Sequence, residues 1–257
     1  MMEPTRLSES ERERFERHLR LPEVGAEGQA RLKTSRVLVV GAGGLGSPAL
    51  MYLAAAGIGR IGIADPDRVE IGNLHRQVIH GMSSLGERKV ESARRRLLEN
   101  NPDCVIDTYP ERLTEDNAAI IAAPYEVVLD GTDNLEARRL INQICIRQKK
   151  PMVYGSAQRW EGQVCVFDAR HGACYECAFY KVDQEKTVSP VSSGVLGPLP
   201  GLIGVWQALE TIKILLGKGA PLYGRLQILD GLSGSIEEIN IPRNIDCPAC
   251  GKIKPAD

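Results

Sequence analysis

The 257 residues carry almost no net charge: 32 basic and 33 acidic side chains leave −1 at neutral pH. Nothing electrostatic draws such a chain to nucleic acid or to an acidic membrane, and neither is expected as a partner. Basic runs such as Arg94-Arg95-Arg96 sit on a helical pattern mixed with acids and read as a solvated face. A positively charged leader feeding an apolar stretch is missing too, and no apolar run approaches the roughly 20 residues that cross a bilayer. A cytoplasmic protein is the expectation. Repeats, low-complexity tracts and linkers are also absent, so residues 1–257 are expected to form one domain, long enough to bury a large core.

What the chain does have is Arg36-Val-Leu-Val-Val-Gly-Ala-Gly-Gly-Leu-Gly46. A β-branched run ends in Gly41-x-Gly43-x-x-Gly46, with Gly44 between, and a small-residue helix pattern from Ser47 to Ala56 follows at once. Strand, glycine turn and helix in that order bring backbone N–H groups and a helix dipole to a phosphate. A second run, Arg60 to Asp65, ends in a carboxylate about 20 residues beyond the turn, where such folds hydrogen-bond a ribose hydroxyl.

Before this core, residues 8–33 read as a capped helix, a break and a second short helix, packing on the core or reaching toward a neighbouring subunit. After it, Asp67 and the polar run Gly72-Asn73-Leu74-His75-Arg76 occupy a loop at a strand's carboxyl end, where ligands of open α/β sheets bind. Lys89 falls in the first turn of the next amphipathic helix. A cation there opposes the dipole, so the expectation is that it serves an anion. Strands are expected at 104–109, 126–130 and 151–155, with helices over 115–123 and 135–147, and Asp133 and Asn134 close the loop after the second of these strands. The βαβ alternation implies a Rossmann-like, doubly wound parallel sheet. From Gly162 strands follow without intervening helices, at 163–168, 224–230 and 235–241, so an antiparallel continuation is expected, interrupted by one apolar helix over 201–216. The polar, aperiodic stretch 181–193 reads as a lid or binding segment.

Seven cysteines in a reducing compartment argue for thiols or metal ligation rather than a disulfide framework. Cys174-x-x-Cys177 and Cys247-x-x-Cys250 supply four thiolates, which tetrahedral Zn²⁺ requires. A shell filled by four thiolates leaves no site for water or substrate, so that metal is structural. A thioredoxin-type redox pair and a cytosolic disulfide are the competing readings. Cys104, Cys145 and Cys165 fall in strand or helix patterns and read as core thiols.

Arg76 and Lys89 can neutralise a polyphosphate while Asp133 holds Mg²⁺ bridging its oxygens, a set that dinucleotide dehydrogenases do not need. The natural reaction is attack of a carboxylate on the α-phosphorus of ATP, expelling pyrophosphate. A carboxylate nucleophile needs no general base, so positioning and charge stabilisation suffice.

Over essentially its whole length the chain resembles the ThiF/MoeB/HesA family of adenylyltransferases, bacterial relatives of ubiquitin-activating enzymes. The resemblance rests on Arg14-Phe-x-Arg17-His-Leu, Leu21-Pro-Glu-Val-Gly25, Gly41 to Gly46, Asp65-x-Asp67, Asn73-Leu-His-Arg76-Gln, Lys89-Val-Glu-Ser-Ala, Asp130-Gly-Thr-Asp133-Asn and the two cysteine knuckles. It implies ATP on the glycine turn with Asp65 at its ribose, phosphates held by Asn73, Arg76 and Lys89, and Mg²⁺ on Asp133. It also implies a homodimer in which Arg17 reaches the partner subunit's nucleotide. The implied substrate is a ubiquitin-like sulfur-carrier protein ending in Gly-Gly, threaded under residues 181–193, its adenylate passed to a separate sulfur donor for thiocarboxylate formation. On this resemblance residues 1–33 are N-terminal helices, 34–160 the nucleotide-binding half and 161–257 the carrier-binding and zinc half.

Relatives that carry a cysteine in the 181–193 segment can bond the carrier covalently. No cysteine occurs between 178 and 246 here, so covalent handoff is not expected, and neither Ser189 nor Ser192 replaces a thiolate at neutral pH. No rhodanese-like stretch is present either. Three other readings stay open: adenylation of a small-molecule or peptide carboxylate, a nicotinamide dehydrogenase on the same turn, and a non-catalytic adaptor.

Overall fold

A computed structural model describes residues 7–180 and 194–252. The proposed lid, 181–193, lies outside the described residues. Ser8 caps α1 (Glu9–Arg14) in a reciprocal capping box with Glu11. Next come α2 (Glu16–Leu19) and α3 (Gly25–Thr34), which lead into β1 (Arg36–Val40). The chain then alternates through α4 (Gly46–Ala55), β2 (Arg60–Ala64), a 3-10 turn at Ile71–Asn73, α5 (Lys89–Asn100), β3 (Val105–Tyr109), α6 (Ala118–Ala122), β4 (Val127–Asp130) and α7 (Leu135–Arg147). Strands β5 (Met152–Gln158) and β6 (Glu161–Phe167) form a hairpin, followed by α8 (Tyr175–Phe179), α9 (Pro198–Leu216), β7 (Arg225–Asp230) and β8 (Ser235–Asn240).

Among the described residues, eight strands join one sheet in the order β3-β2-β1-β4-β5-β6-β7-β8. Pairing is parallel from β3 to β5 and antiparallel from β5 to β8, the arrangement expected from where helices stop separating the strands.

The pleat of β1 distributes its side chains between two cores. Val37 and Val39 face α4, α5 and α9, packing with Leu50, Leu53, Val90, Leu97 and Ile203. Leu38 and Val40 face α6, α7 and α8, packing with Ile121, Ile141, Ile144 and Tyr175. Truncating a fully buried leucine in such a layer, Leu53 for example, costs roughly 2–5 kcal/mol.

One expectation needs correction. Helix α9 begins at Pro198 rather than Gly201, because a proline fits the first helical turn, where its missing N–H costs nothing. The resulting 19-residue helix, which holds an 18-residue stretch of mean hydropathy 1.3, is long and apolar enough by length and composition to cross a membrane. Half of it is buried against α4, β5 and β6. Its polar Gln207 is also buried, donating to the carbonyls of Asp130 at 2.7 Å and Val153 at 3.0 Å and so joining β4 to β5, as a core helix does.

Candidate functional site

The strand order reverses between β1 and β4, and a cavity of about 1050 Å³ opens over the carboxyl ends of β1, β2 and β4. Gly41 leaves β1 with φ +94°, and a Cβ there would stand 2.7 Å from the Gly131 carbonyl oxygen. A Cβ on Gly46 would stand 1.8 Å from the Gly41 oxygen, so the close turn-to-helix packing admits only glycine.

Both backbone groups of the next residue, Ala42, are held. The Ala42 N–H donates to Asp65 Oδ2 at 2.8 Å, while Asp65 Oδ1 accepts the Asp67 N–H at 2.8 Å. The Ala42 carbonyl accepts from His80 Nε2 at 3.1 Å and from the Ser47 hydroxyl at 3.3 Å. A carbonyl only accepts, so His80 carries its proton on Nε2, and Nδ1 accepts the Ser92 hydroxyl at 2.9 Å. Burial pushes the His80 pKa below its ordinary value, and the nearby Lys89 charge adds to this, keeping the ring neutral.

Lys89 is the first residue of α5. Its side chain is only 7% exposed, and Nζ lies 2.9 Å from Oδ2 of Asp67, whose own side chain is 60% exposed. A buried ammonium at the wrong end of a helix dipole, paired to one solvent-reaching carboxylate, favours a further anion beside it. Arg76 donates through Nη1 to the Gly72 carbonyl at 3.0 Å and to His75 Nε2 at 2.7 Å. Asp133 is exposed at the rim. Asn134 caps α7, its Oδ1 accepting the Ala137 N–H at 2.9 Å.

Of the residues singled out from the sequence, Gly41, Gly43, Gly44, Asp65, Asp67, His75, Arg76, Lys89, Asp133 and Asn134 all line this cavity. Gly46, Gly72, Asn73 and Leu74 are not in its walls: Gly46 is buried beneath the turn, Gly72 and Asn73 belong to the 3-10 turn leading to Arg76, and Leu74 caps that turn. Arg17, exposed on α2, does not line it either.

Sequence reading missed His80, which offered no pattern, and Arg138, which did. Leu135, Arg138, Ile141 and Asn142 share the buried face of α7, so Arg138 is a charge in an apolar stripe. Its Nη2 donates to the Thr132 carbonyl at 3.1 Å, its guanidinium lies 5.2 Å from the centre of the Tyr154 ring, and Nε sits 3.7 Å from Asp130 Oδ2. Asp130 Oδ1 accepts the Thr132 N–H at 3.0 Å. The Asp130–Arg138 pair thus fixes the loop that carries Asp133. Burial pushes the Asp130 pKa up, with Arg138 opposing.

The two cysteine knuckles meet at the far end of α7. Cys174 Sγ lies 3.8 Å from Cys177 Sγ and 3.7 Å from Cys247 Sγ, and Cys177 Sγ lies 3.5 Å from Cys250 Sγ. Four thiolates at zinc's usual bond length of about 2.3 Å, arranged tetrahedrally, are about 3.8 Å apart, so the set fits that ion. Hydrogen bonds from the Cys174 thiol and from the Asn244 N–H stabilise the Cys177 thiolate and lower its pKa.

A glycine turn at a topological switch point, ringed by cations and an acid, with four thiols clustered between α8 and the chain after β8 at a spacing that fits a metal ion, defines a Rossmann-type fold with a candidate nucleotide site. The chain belongs to the ThiF family, whose family model matches residues 15–249. A sulfur carrier protein adenylyltransferase of Thermus thermophilus is 44% identical over 252 residues, covering 96% of this chain and 93% of the relative. An adenylyltransferase and sulfurtransferase MOCS3 of Culex quinquefasciatus is 46% identical over 248 residues, but the match spans only 57% of that longer protein. The crystal structure of E. coli MccB with MccA-N7isoASN superposes with a TM-score of 0.82, covering 94% of this chain and 75% of that one. At 21% identity this likeness concerns the fold alone.

Proposed function

We propose that the protein uses ATP to adenylate the C-terminal Gly-Gly carboxylate of a ubiquitin-like sulfur-carrier protein. One carboxylate oxygen forms a bond to the α-phosphorus, the bond from that phosphorus to the β-phosphate bridge breaks, and pyrophosphate leaves with the negative charge. The acyl-adenylate then passes to a separate sulfur donor for thiocarboxylate formation. The observation that carries this reading is the convergence of Arg76, Lys89 and Asp133 on the cavity lined by Gly41, Gly43 and Gly44.

The roles follow from the chemistry of each group. N–H groups of the glycine turn face the phosphates, and Asp65, whose oxygens keep lone pairs beyond those given to backbone donors, accepts from the ribose. Lys89 and Arg76 take up the charge that develops on pyrophosphate, which is stabilisation delivered where the transition state needs it. Asn73 assists through the same loop. Asp133, exposed at the rim beside these cations, suits Mg²⁺, which binds through one or two carboxylates and the substrate phosphates. Held there, Mg²⁺ would supply neutralisation of the charge that builds as pyrophosphate leaves. Arg17, outside the walls of its own cavity, would serve a nucleotide held by a second copy, which supports a homodimer. The zinc centre is assigned a structural role, tying residues 247–250 to α8. The name and nearly full-length match of the Thermus relative support the carrier as substrate.

The test is pyrophosphate–ATP exchange with purified protein, Mg²⁺ and a carrier ending in Gly-Gly. Exchange is expected with the intact carrier and not with one lacking its last two glycines. Exchange driven instead by a pool of small carboxylates, with none from the carrier, would overturn the choice of substrate.

A further inference from the structure

We propose that His80 is a positioning residue for the nucleotide: by holding the Ala42 carbonyl it aims the Gly43 N–H into the phosphate cavity. The inference rests on the proposed reading of Gly41 to Gly46 as the seat of the ATP phosphates. A trans peptide is planar, with its C=O and N–H pointing in opposite directions. The Ala42 carbonyl and the Gly43 N–H belong to one such peptide, so fixing the first fixes the second. His80 Nε2 and the Ser47 hydroxyl draw the carbonyl to one side, at 3.1 and 3.3 Å. Ala42 is fully buried on that side, whereas Gly43 lines the cavity on the other. Among the described residues no hydrogen bond takes the Gly43 N–H, which leaves it as a donor for a ligand.

The peptide before it is fixed in the same manner by Asp65, which takes the Ala42 N–H at 2.8 Å. Asp65 and His80 therefore hold Ala42 from opposite edges, and neither peptide flanking it can rotate without breaking a buried hydrogen bond. His80 in turn is anchored at Nδ1 by Ser92 of α5 at 2.9 Å, the helix that begins with Lys89. One imidazole thus couples the glycine turn to the helix bearing the phosphate cation. Only the neutral ring protonated at Nε2 can make both bonds with the Ser92 hydroxyl as donor.

The experiment compares His80→Gln, whose amide nitrogen stands where Nε2 does and can still donate to Ala42, with His80→Ala, which cannot. ATP affinity is measured by calorimetry and the KM and kcat for ATP by exchange, alongside melting temperature. His80→Ala is expected to weaken ATP binding and raise its KM about tenfold or more, the scale of one hydrogen bond to a charged group, with kcat within about threefold. His80→Gln is expected to recover most of the affinity. Nitrogen NMR of the wild-type histidines is expected to show His80 protonated at Nε2.

Unaltered affinity in a folded His80→Ala protein, failure of a folded His80→Gln protein to recover, or a ring protonated at Nδ1 would each overturn the assignment. The NMR result decides the matter even if the variants do not fold. Wild-type protein that binds no ATP would bring down the nucleotide reading itself, whereas tight wild-type binding with no change in His80→Ala defeats the His80 role alone.

Discussion

The two halves of the sheet are built differently. In the parallel half β1 and β4 are buried on both faces, apart from the exposed Arg36 at the start of β1, and the loops leaving their carboxyl ends pack so closely that a Cβ on Gly41 would stand 2.7 Å from the Gly131 oxygen. In the antiparallel half β8 is exposed along its whole length and forms the sheet's last strand, and the chain beyond it is held to α8 at the four cysteines. Where two helix layers cover the strands, packing alone holds loops rigidly enough for phosphate chemistry. Where they do not, four thiols at a spacing that fits a metal ion bring α8 and the chain after β8 together. The halves are joined by α7, which carries Asn134 at its start and, at Asn142, an amide oxygen accepting the Tyr175 N–H at 3.0 Å beside Cys174.

The largest effect expected to separate the halves is removal of the proposed zinc. A structural zinc contributes on the order of 10 kcal/mol when it folds its own site. Chelation is therefore expected to raise hydrogen exchange around residues 169–177 and 243–250 sharply while β1 and β4 remain protected. Equal loss of protection in both halves would contradict the contrast drawn here. Next comes Asp133→Ala, expected to cut exchange activity about a hundredfold or more when a charge-stabilising group is lost. Because Asp133 is exposed, melting is expected to move by no more than about 0.5 kcal/mol of stability. An adaptor rather than an enzyme would show no exchange activity for the substitution to lower, with melting equally unmoved.

Lys89→Met is expected to cost about tenfold or more in KM or kcat while stability changes little, since the Asp67 partner left behind is mostly in water. A smaller effect is the pH dependence from His80. Its folded pKa lies below the ordinary 6.5, so between these two values the unfolded chain binds more protons. Stability is accordingly full above about pH 6.5 and falls below it, by at most about 1.4 kcal/mol per pH unit until the folded pKa is passed. Urea titrations of the wild type and of His80→Gln between about pH 5 and pH 7 read this out, and the variant is expected to lose the slope. Smallest is Ile236→Ser on exposed β8, expected within about 0.5 kcal/mol of the wild type.

The same contrast governs what could be read from the residues alone. The β-branched run 36–40, the glycines after it and the paired cysteines are local patterns with one physical use each, and the strands, turn and knuckles stand where they were expected. Arg76, Lys89 and Asp133, each legible from its place at a strand or helix end, share one cavity. The extra turn of α9 was not legible, because Pro198 reads as a breaker until the fold supplies the helix behind it. His80 was not legible either: its value comes from a contact across 38 positions with Ala42, which no periodicity announces. Local pattern identified groups that line the cavity, and tertiary contact identified those that hold them in place.

The most direct test of the central claim is to label the carrier's C-terminal carboxylate with heavy oxygen and react it with ATP, Mg²⁺ and this protein. The adenylate is then cleaved and the products are weighed. Attack of the carboxylate on the α-phosphorus predicts labelled oxygen in the phosphate of AMP, with pyrophosphate unlabelled. Unlabelled AMP, or ADP in place of pyrophosphate, would contradict the account.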